Sequence, residues 1–335
     1  MGLIISKDRF NDVLKNLSEK YEIYAPVNLK GKGTFSDTDR VRYGLVSSIE
    51  EIVVDVKSHF SFKEILLPIT QTLFYFTEEQ WIEPKIDRKE ILVFLRSCDL
   101  QAVKRIDEIY LKNGDKDPYY KAIRDNVKFI LMGCSKSFEN CFCVSMGTNK
   151  SDKYYAAINF RNDVVELDVK DEELLDCFND VEGRSCEVKP DYVTENSVKV
   201  NIPENLDQRI YNSDMWKEYN LRCISCGRCN FVCPTCTCFS MQDIFYKDNE
   251  KTGERRRVWA SCHVDNFTVM AGGHEFRKSK SERMRFKVMH KVYDFKKKFG
   301  YHMCVGCGRC DDICPEYISF SNCVNKLNDA MEGEK

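Results

Sequence analysis

Two cysteine-rich motifs give the most specific chemical signal in this chain of 335 residues. The first motif, 222–234, reads RCISCGRCNFVCP, and the second motif, 303–315, reads MCVGCGRCDDICP, so both contain CxxCGRCxxxCP. Three cysteines at such intervals can wrap a cubane [4Fe–4S] cluster, and a fourth cysteine before proline is typical of ferredoxins with two clusters. In those ferredoxins the fourth cysteine ligates the other cluster. The repeat therefore predicts two clusters that exchange a ligand.

This crossing predicts which thiols act together. The first set is Cys223, Cys226, Cys229 and Cys314, and the second set is Cys304, Cys307, Cys310 and Cys233. Because each motif reaches into the other cluster, the two centres are held close enough for electrons to pass between them. Gly227 and Gly308 stand where such a loop needs a close backbone approach or unusual dihedral angles. The pattern indicates a path for electrons.

The eighteen cysteines of the chain need a chemical explanation. A chain of this length does not need disulfides for stability. Its start reaches Lys7 and Asp8 too early for a signal peptide, and no later run approaches membrane-spanning length, so we expect a cytoplasmic protein without a membrane partner. In that reducing setting, clustered cysteines are metal ligands or redox groups more often than disulfides. Zinc is the alternative, but a third in-step cysteine and the C-P ending, both repeated, favour iron–sulfur.

A third set of cysteines lies in the first half of the chain. Cys98 and Cys134 each follow a predicted strand, in FLRSCDLQA and LMGCSK, and the loop after Cys134 brings in Cys141 and Cys143. Four thiolates suffice for another [4Fe–4S] cluster, so these four are predicted as ligands of a third one. The alternative is that they are buried thiols, which pack as small hydrophobic groups.

Four further residues have no standard spacing. Cys236, Cys238 and Cys262 follow or sit between the two motifs, and His263 is next to the last of them. They could line the clusters or bind another metal, but a structural role is favoured. Cys177 and Cys186 are predicted to be plain thiols.

The elements that must position these residues change character along the chain. Residues 1–210 contain short β-rich runs broken by helical stretches, such as EILVFLRSCDL followed by LQAVKRIDEIYLK, and predict an α/β sheet domain. In residues 211–335 the apolar positions recur at helical intervals, for example Met284, Val288 and Val292. Together with the long spacer between the motifs, this predicts an α+β protein whose second domain is an α-helical two-cluster ferredoxin.

Charge and other motifs narrow the function further. The formal net charge of −2 argues against a wholesale nucleic-acid binder. Residues 251–298 hold fourteen Lys or Arg against five Asp or Glu, which is interpreted first as a solvated helical face. A docking surface for an acidic redox partner is the second interpretation, and nucleic-acid binding is the third. No Rossmann motif, P-loop or nucleophile–base constellation is present, so no catalytic residue is predicted.

On these residues the chain resembles the A subunits of anaerobic sulfite reductases and is similar to the iron–sulfur β subunits of sulfhydrogenases. The resemblance rests on CxxCGRCNFVCPTCTCF, RRRVWASC with MAGGHEFR, the HK at 290–291 that leads to FGYHMCVGCGRCDDICP, and RSCDL with CFCVSMG, and so spans nearly the whole chain. All eight ferredoxin-type ligands carry over.

The resemblance implies an electron-transfer subunit in an NADH-dependent complex. There, a flavin subunit oxidises NADH and a sirohaem subunit reduces sulfite to sulfide, with this subunit carrying electrons between them. The alternatives are the same role in a sulfhydrogenase-type hydrogenase complex and, in a different class, an iron–sulfur redox sensor that binds nucleic acid through residues 251–298.

Overall fold

Two sheets and several helices form the chain, which the computed structural model describes over residues 1–33, 37–85, 89–178, 181–247 and 251–333. The strands are β1 (Gly2–Ser6), β2 (Tyr21–Leu29), β3 (Arg40–Leu45), β4 (Thr70–Phe76), β5 (Trp81–Ile82), β6 (Glu90–Leu95), β7 (Val127–Met132), β8 (Ala156–Phe160), β9 (Val164–Val169), β10 (Arg184–Ser185), β11 (Phe239–Phe245) and β12 (Gly253–Trp259). The α-helices are α1 (Lys7–Lys20), α2 (Lys63–Leu66), α3 (Ser97–Leu111), α4 (Pro118–Arg124), α5 (Glu172–Asp176), α6 (Glu218–Arg222), α7 (Arg228–Phe231), α8 (Lys280–Met289), α9 (Phe295–Phe299), α10 (Arg309–Asp312) and α11 (Phe320–Gly333).

The larger sheet has the strand order β10-β1-β9-β8-β7-β6-β2-β3 over the described residues. Its centre is parallel, from β2 through β6 and β7 to β8, and both flanks are antiparallel. Strands β6 and β7, EILVFL and VKFILM, are buried along nearly their whole length. Such apolar runs are typical of a parallel centre, because helices cover both of its faces.

Helices α1 and α3 cover those two faces. On one face α1 contributes Phe10, Val13, Leu14 and Leu17, which pack with Leu92 and Phe94 of β6. On the other face α3 contributes Leu100, Val103, Ile106 and Tyr110, which pack with Ile91, Val93 and Leu95. Successive side chains of a strand point to opposite faces, so β6 serves both layers. The predicted packing of α3 on the sheet is confirmed.

The parallel pairing of β6 and β7 decides where the third set begins. Cys98 lies in the first turn of α3 directly after β6, and Cys134 lies two residues after β7. Because parallel neighbours end at the same edge of a sheet, both thiols start from one edge.

The smaller sheet has the order β11-β12-β4-β5 and joins distant parts of the chain. Strands β11 and β12 form an antiparallel hairpin, and β12 also pairs with β4. Residues 239–245 and 253–259 are therefore extended, although residues 211–335 had been predicted to be mostly helical. Charged residues in these strands obscured the pattern that predicts a β-strand. Arg255 lies opposite Asp243 across the hairpin, and its Nε donates to Asp243 Oδ1 at 2.6 Å. Opposite charges stabilise such cross-strand pairs.

The remaining C-terminal elements are helical, and the α+β fold class is confirmed. Helix α8 starts with a capping box of Ser279 and Glu282, continues through a π-helical turn, His290–Asp294, and ends after α9 at Gly300 with φ 84°. The predicted apolar positions of this helix and of α11 are buried in one core, which includes Met284, Val288, Val292, Phe320, Val324 and Leu327. In the described part of the chain, no helix is long and apolar enough to cross a membrane.

A buried ion pair fastens the second motif to the larger sheet. Arg309, 2% exposed, donates from Nη1 and Nη2 to the two carboxylate oxygens of Asp99 at 2.7 and 2.9 Å, and Asp99 is completely buried in α3. Arg309 also donates to the carbonyl and hydroxyl oxygens of Ser58 at 3.0 and 2.9 Å. Each guanidinium and carboxylate group is thus satisfied, as a buried charge requires. The division into domains at residue 210 stays a prediction, and this contact crosses it.

The repeat supplies a matched test of this ion pair. Arg309→Ala should lower the free energy of unfolding by about 3–5 kcal/mol, because it leaves Asp99 buried without a counter-charge. Arg228→Ala removes the equivalent arginine of the first motif, which is exposed, and should change it by about 0.5 kcal/mol or less. Anaerobic urea unfolding of both variants measures the difference. Equal losses would contradict the role assigned to Asp99.

Candidate iron–sulfur cluster sites

The two motifs fold in the same way. Gly227 and Gly308 precede α7 and α10 with almost identical left-handed angles, φ 72° and ψ −4° against φ 71° and ψ −4°. Two residues earlier, Ser225 and Gly306 also have positive φ, 58° and 64°. The backbone N–H of Ser225 donates to the sulfur of Cys223, and that of Gly306 to the sulfur of Cys304, both at 3.4 Å. N–H groups that converge on sulfur suit a loop around an anionic cluster.

The thiols of the first set line one cavity. Cys223, Cys226 and Cys229 from the first motif and Cys314 from the second line it, together with Cys310 of the second set. Burial raises the pKa of Cys223, and the nearby Cys229, Cys226 and Cys314 raise it further. The structure therefore brings the fourth cysteine of the second motif to the first three of the other.

The second set meets in the same crossed manner. Burial raises the pKa of Cys304 to about 12, with Cys233 and Cys307 among the neighbours that contribute. Burial likewise raises the pKa of Cys310, which has Cys307 and Cys233 beside it. Thiols with such pKa values stay protonated at neutral pH unless a metal binds them, since metal coordination deprotonates a thiol. Cys233, from the first motif, thus lies with the thiols of the second.

Three lysines in the same region are buried without a carboxylate. Lys63, Lys287 and Lys291 are 3–5% exposed, and the described residues place no Asp or Glu within ion-pair distance of them. Burial lowers the pKa of Lys287, but the neighbouring Cys229, Cys310 and Cys236 outweigh it and raise this pKa well above its ordinary value. The neighbouring Cys233, Cys236 and Cys304 likewise raise the pKa of Lys291, although burial lowers it. An unpaired buried cation costs several kcal/mol, so the surroundings of Lys287 and Lys291 fit an anionic group.

The third set is assembled as well. Burial raises the pKa of Cys143 to about 11, and Cys141 and Cys134 are among the neighbours that add to it. Burial raises the pKa of Cys98 well above its ordinary value, and Asp99, Cys143 and Cys307 raise it further. The four thiols of the third set are therefore neighbours, and the set borders on the second set at Cys307.

The loop that bears Cys141 and Cys143 docks directly on the second motif. The N–H of Phe142 donates to the carbonyl of Gly306 at 2.8 Å. The hydroxyl of Thr148 donates to the carbonyl of Val305 at 2.6 Å. Lys57 bridges the two segments, since its ammonium contacts the carbonyl of Cys307 at 3.1 Å and the sulfur of Cys141 at 3.9 Å. This contact holds the second and third sets side by side.

Two of the unassigned cysteines, Cys238 and Cys262, are neighbours. The nearby Cys262 thiol lowers the pKa of Cys238 to about 6, although burial opposes this effect. Cys262 in turn accepts from the Asn230 side chain at 3.1 Å. Among the residues with described positions, no three His, Cys, Asp or Glu could hold a single metal ion. His263 lines the first cavity, and its buried Nε2 has no hydrogen-bond partner among the described groups.

Sequence analysis missed the buried lysines and the Asp99 anchor. A signal for the lysines existed, because Lys287 and Lys291 fall on the same helical stripe as Met284 and Val288, where an apolar residue is expected. The basic stretch 251–298 was interpreted as a solvated helical face, which is wrong for its first part. Arg255 and Arg257 belong to β12 and pair with Asp243 and Asp117.

The glycines of the second motif allow a direct test of the docked loop. A Cβ at Gly308 would lie 2.3 Å from the carbonyl oxygen of Asn140, whereas a Cβ at Gly300 would meet nothing within 4 Å. Both have positive φ, so Gly300→Ala should cost about 1–2 kcal/mol of strain, and Gly308→Ala clearly more. Urea unfolding of the two variants makes the comparison. A cost at Gly308 no greater than that at Gly300 would contradict the close contact.

Comparisons with known proteins match the part of the chain that contains the two cysteine motifs. A family model described as a 4Fe-4S dicluster domain matches residues 222–318, which contain both motifs. Over 350 aligned residues the chain is 30% identical to the sulfhydrogenase 2 subunit beta of Pyrococcus furiosus, with 98% of each chain covered. No solved structure matches the chain. The chain thus belongs to the family of the sulfhydrogenase beta subunit, and it contains a 4Fe-4S dicluster domain.

Proposed function

We propose that this protein is the iron–sulfur electron-transfer subunit of a sulfhydrogenase-type hydrogenase complex. The observation that carries the proposal is the crossed arrangement of eight thiols in two neighbouring sites, together with the full-length similarity to a sulfhydrogenase beta subunit. Crossed sites keep two one-electron centres close together, which serves conduction. We assign no catalytic residue to the chain.

The first set would hold one [4Fe–4S] cluster and the second set another. Bound clusters supply one-electron chemistry, and the chain supplies thiolates, N–H groups and buried cations around them. Cys226 is the one exposed cysteine among the described residues, whereas Cys307 of the second set is buried. The first site is thus the one nearer to solvent and to a partner.

We also propose that Cys98, Cys134, Cys141 and Cys143 hold a third cluster. Support comes from their mutual proximity and from the contact between Cys98 and the second set. The order of the sites would then be third, second and first, from the edge of the larger sheet towards the exposed Cys226. Three centres in a row lengthen the path over which single electrons can pass.

The partner subunits follow from the family. The relative is named as the beta subunit of a sulfhydrogenase, so we propose that this chain assembles with a subunit that bears a nickel–iron site and with one that oxidises NADH through a flavin. A second candidate is the A subunit of an anaerobic sulfite reductase, whose partner would contain sirohaem. The combination of CPTCTCF, WASC and the cysteines of the first half favours it.

Metal analysis of the complex from its native source separates the two candidates. When the complex is purified anaerobically through a tag on this chain, it should contain nickel in proportion to the amount of this chain. The purified complex should show no sirohaem absorbance. Sirohaem without nickel would establish the sulfite reductase role instead. A tagged Cys304→Ala chain serves as the control for iron carried by this subunit itself.

Iron analysis of the isolated chain tests the clusters. The protein purified without oxygen should contain about twelve iron atoms and as many acid-labile sulfides, four per cluster. Cys143→Ala should leave about eight, and Cys177→Ala, at a cysteine outside the three sets, should leave all twelve. About eight in the unmodified protein would limit the proposal to two clusters, and zinc in place of iron would overturn it.

Double variants test the crossing. Cys223→Ala and Cys314→Ala would act on one cluster, so the double variant should lose no more iron than either single variant, about four atoms. Cys304→Ala with Cys314→Ala would act on two clusters and should lose about eight. Additive losses in the first pair and non-additive losses in the second would refute the crossed assignment.

A further inference from the structure

The buried lysines of α8 and the following π-helical turn differ in which sulfurs they meet. Lys287 lines the cavity of the first set beside Cys229, and Cys310 of the second set borders the same cavity. Lys291 donates from Nζ to the hydroxyl of Thr235 at 2.6 Å, and that hydroxyl lies 3.4 Å from the sulfur of Cys233 in the second set. Four residues separate the two ammonium groups, so they project from the same face of one helix. One lysine therefore faces both sites, and the other faces one.

Other groups near Lys287 do not account for its charge. The described residues provide no carboxylate within ion-pair distance, and its closest aromatic ring, Phe320, lies 5.4 Å from the ammonium nitrogen. Lys287 also lines the cavity of the first set, beside Cys229 and Cys310. A cation kept in this position at a cost of several kcal/mol needs an anion there.

Lys63 is also buried near cysteines, but other groups account for its charge. Its ammonium donates to the backbone carbonyls of Cys236 and Asn230 at 2.8 and 3.4 Å, and it lies 4.1 Å from the ring centre of Trp259. Those contacts explain Lys63 as a link between α2 and the chain after the first motif.

We propose that the Lys287 ammonium is a shared counter-charge for the first and second cluster sites, whereas Lys291 serves the second site alone. The inference rests on the proposed function, because it requires bound clusters. One-electron reduction adds a negative charge at a site without breaking a bond, and a nearby cation in a poorly solvated interior stabilises that charge. Lys287 thereby raises the reduction potentials of both sites and keeps them matched for transfer between them.

The test counts how many midpoint potentials move. In an anaerobic dithionite titration followed by electron paramagnetic resonance, Lys287→Met should lower two midpoint potentials, and Lys291→Met should lower one. Methionine keeps the length and the apolar stem of lysine and removes its charge. We expect about a tenfold change in the ratio of reduced to oxidised cluster, which equals about 59 mV for a one-electron couple. The exposed Lys297→Met, in α9, should leave every potential unchanged.

Several outcomes would overturn the proposal. Unchanged potentials in Lys287→Met, or the same number of shifted potentials in both buried variants, would show that Lys287 is not shared. Lys287→Arg keeps the charge and should leave both potentials near those of the unmodified protein, whereas a merely structural role predicts a shift with arginine as well. If Lys287→Met loses iron, Lys287→Gln is titrated in its place under the same criterion. Absence of iron from the unmodified protein would instead refute the proposed function.

Discussion

The buried ion pair of Asp99 and Arg309 is the contact on which the arrangement of the sites depends. Asp99 is held in α3 between the larger sheet and the second motif, and Arg309 comes from the middle of that motif, between Cys307 and Cys310. Two fully desolvated charges are tolerated only when their geometry and remaining hydrogen bonds are satisfied, and here Ser58 completes them. The pair thus sets the position of the second motif relative to the edge of the sheet where Cys98 and Cys134 begin.

The same motif is used in two environments. In the second motif the arginine is buried and paired, Gly308 lies against Asn140, and Cys307 is enclosed. In the first motif Arg228 and Cys226 are exposed. Backbone angles are shared, so the loop conformation belongs to the repeat itself, whereas burial belongs to what packs on it. A buried site beside an exposed one suits an electron-transfer subunit.

Charge balance unites the features around the thiols. Burial holds the pKa of most of these cysteines above the ordinary value, so the apolar interior by itself opposes thiolates. Lys287 and Lys291 offset this opposition from one helix face, and N–H groups of both motifs add partial positive charge at the sulfurs. Cations and N–H groups together would suit the interior to anionic clusters. Lys287 lies beside cysteines of both sets.

The sequence by itself determined the local chemistry. The spacing of the cysteines predicted the two motifs and their crossing, the apolar patterns predicted β6, α3 and α8, and the whole chain resembled the family to which it belongs. These features are local or repeat at a fixed period, and so they can be recognised in the sequence alone. The hairpin of β11 and β12 was missed, because the arginines of β12 find their partners across a sheet.

Only the tertiary structure decided which distant residues meet. Asp99 and Arg309 are separated by 210 positions, and nothing in the sequence near either residue names the other. The same holds for the docking of Phe142 on Gly306 and for the neighbours of Lys287. The pairing of buried charges depends on how helices and sheets pack, since desolvation makes a partner obligatory without specifying where along the chain it lies.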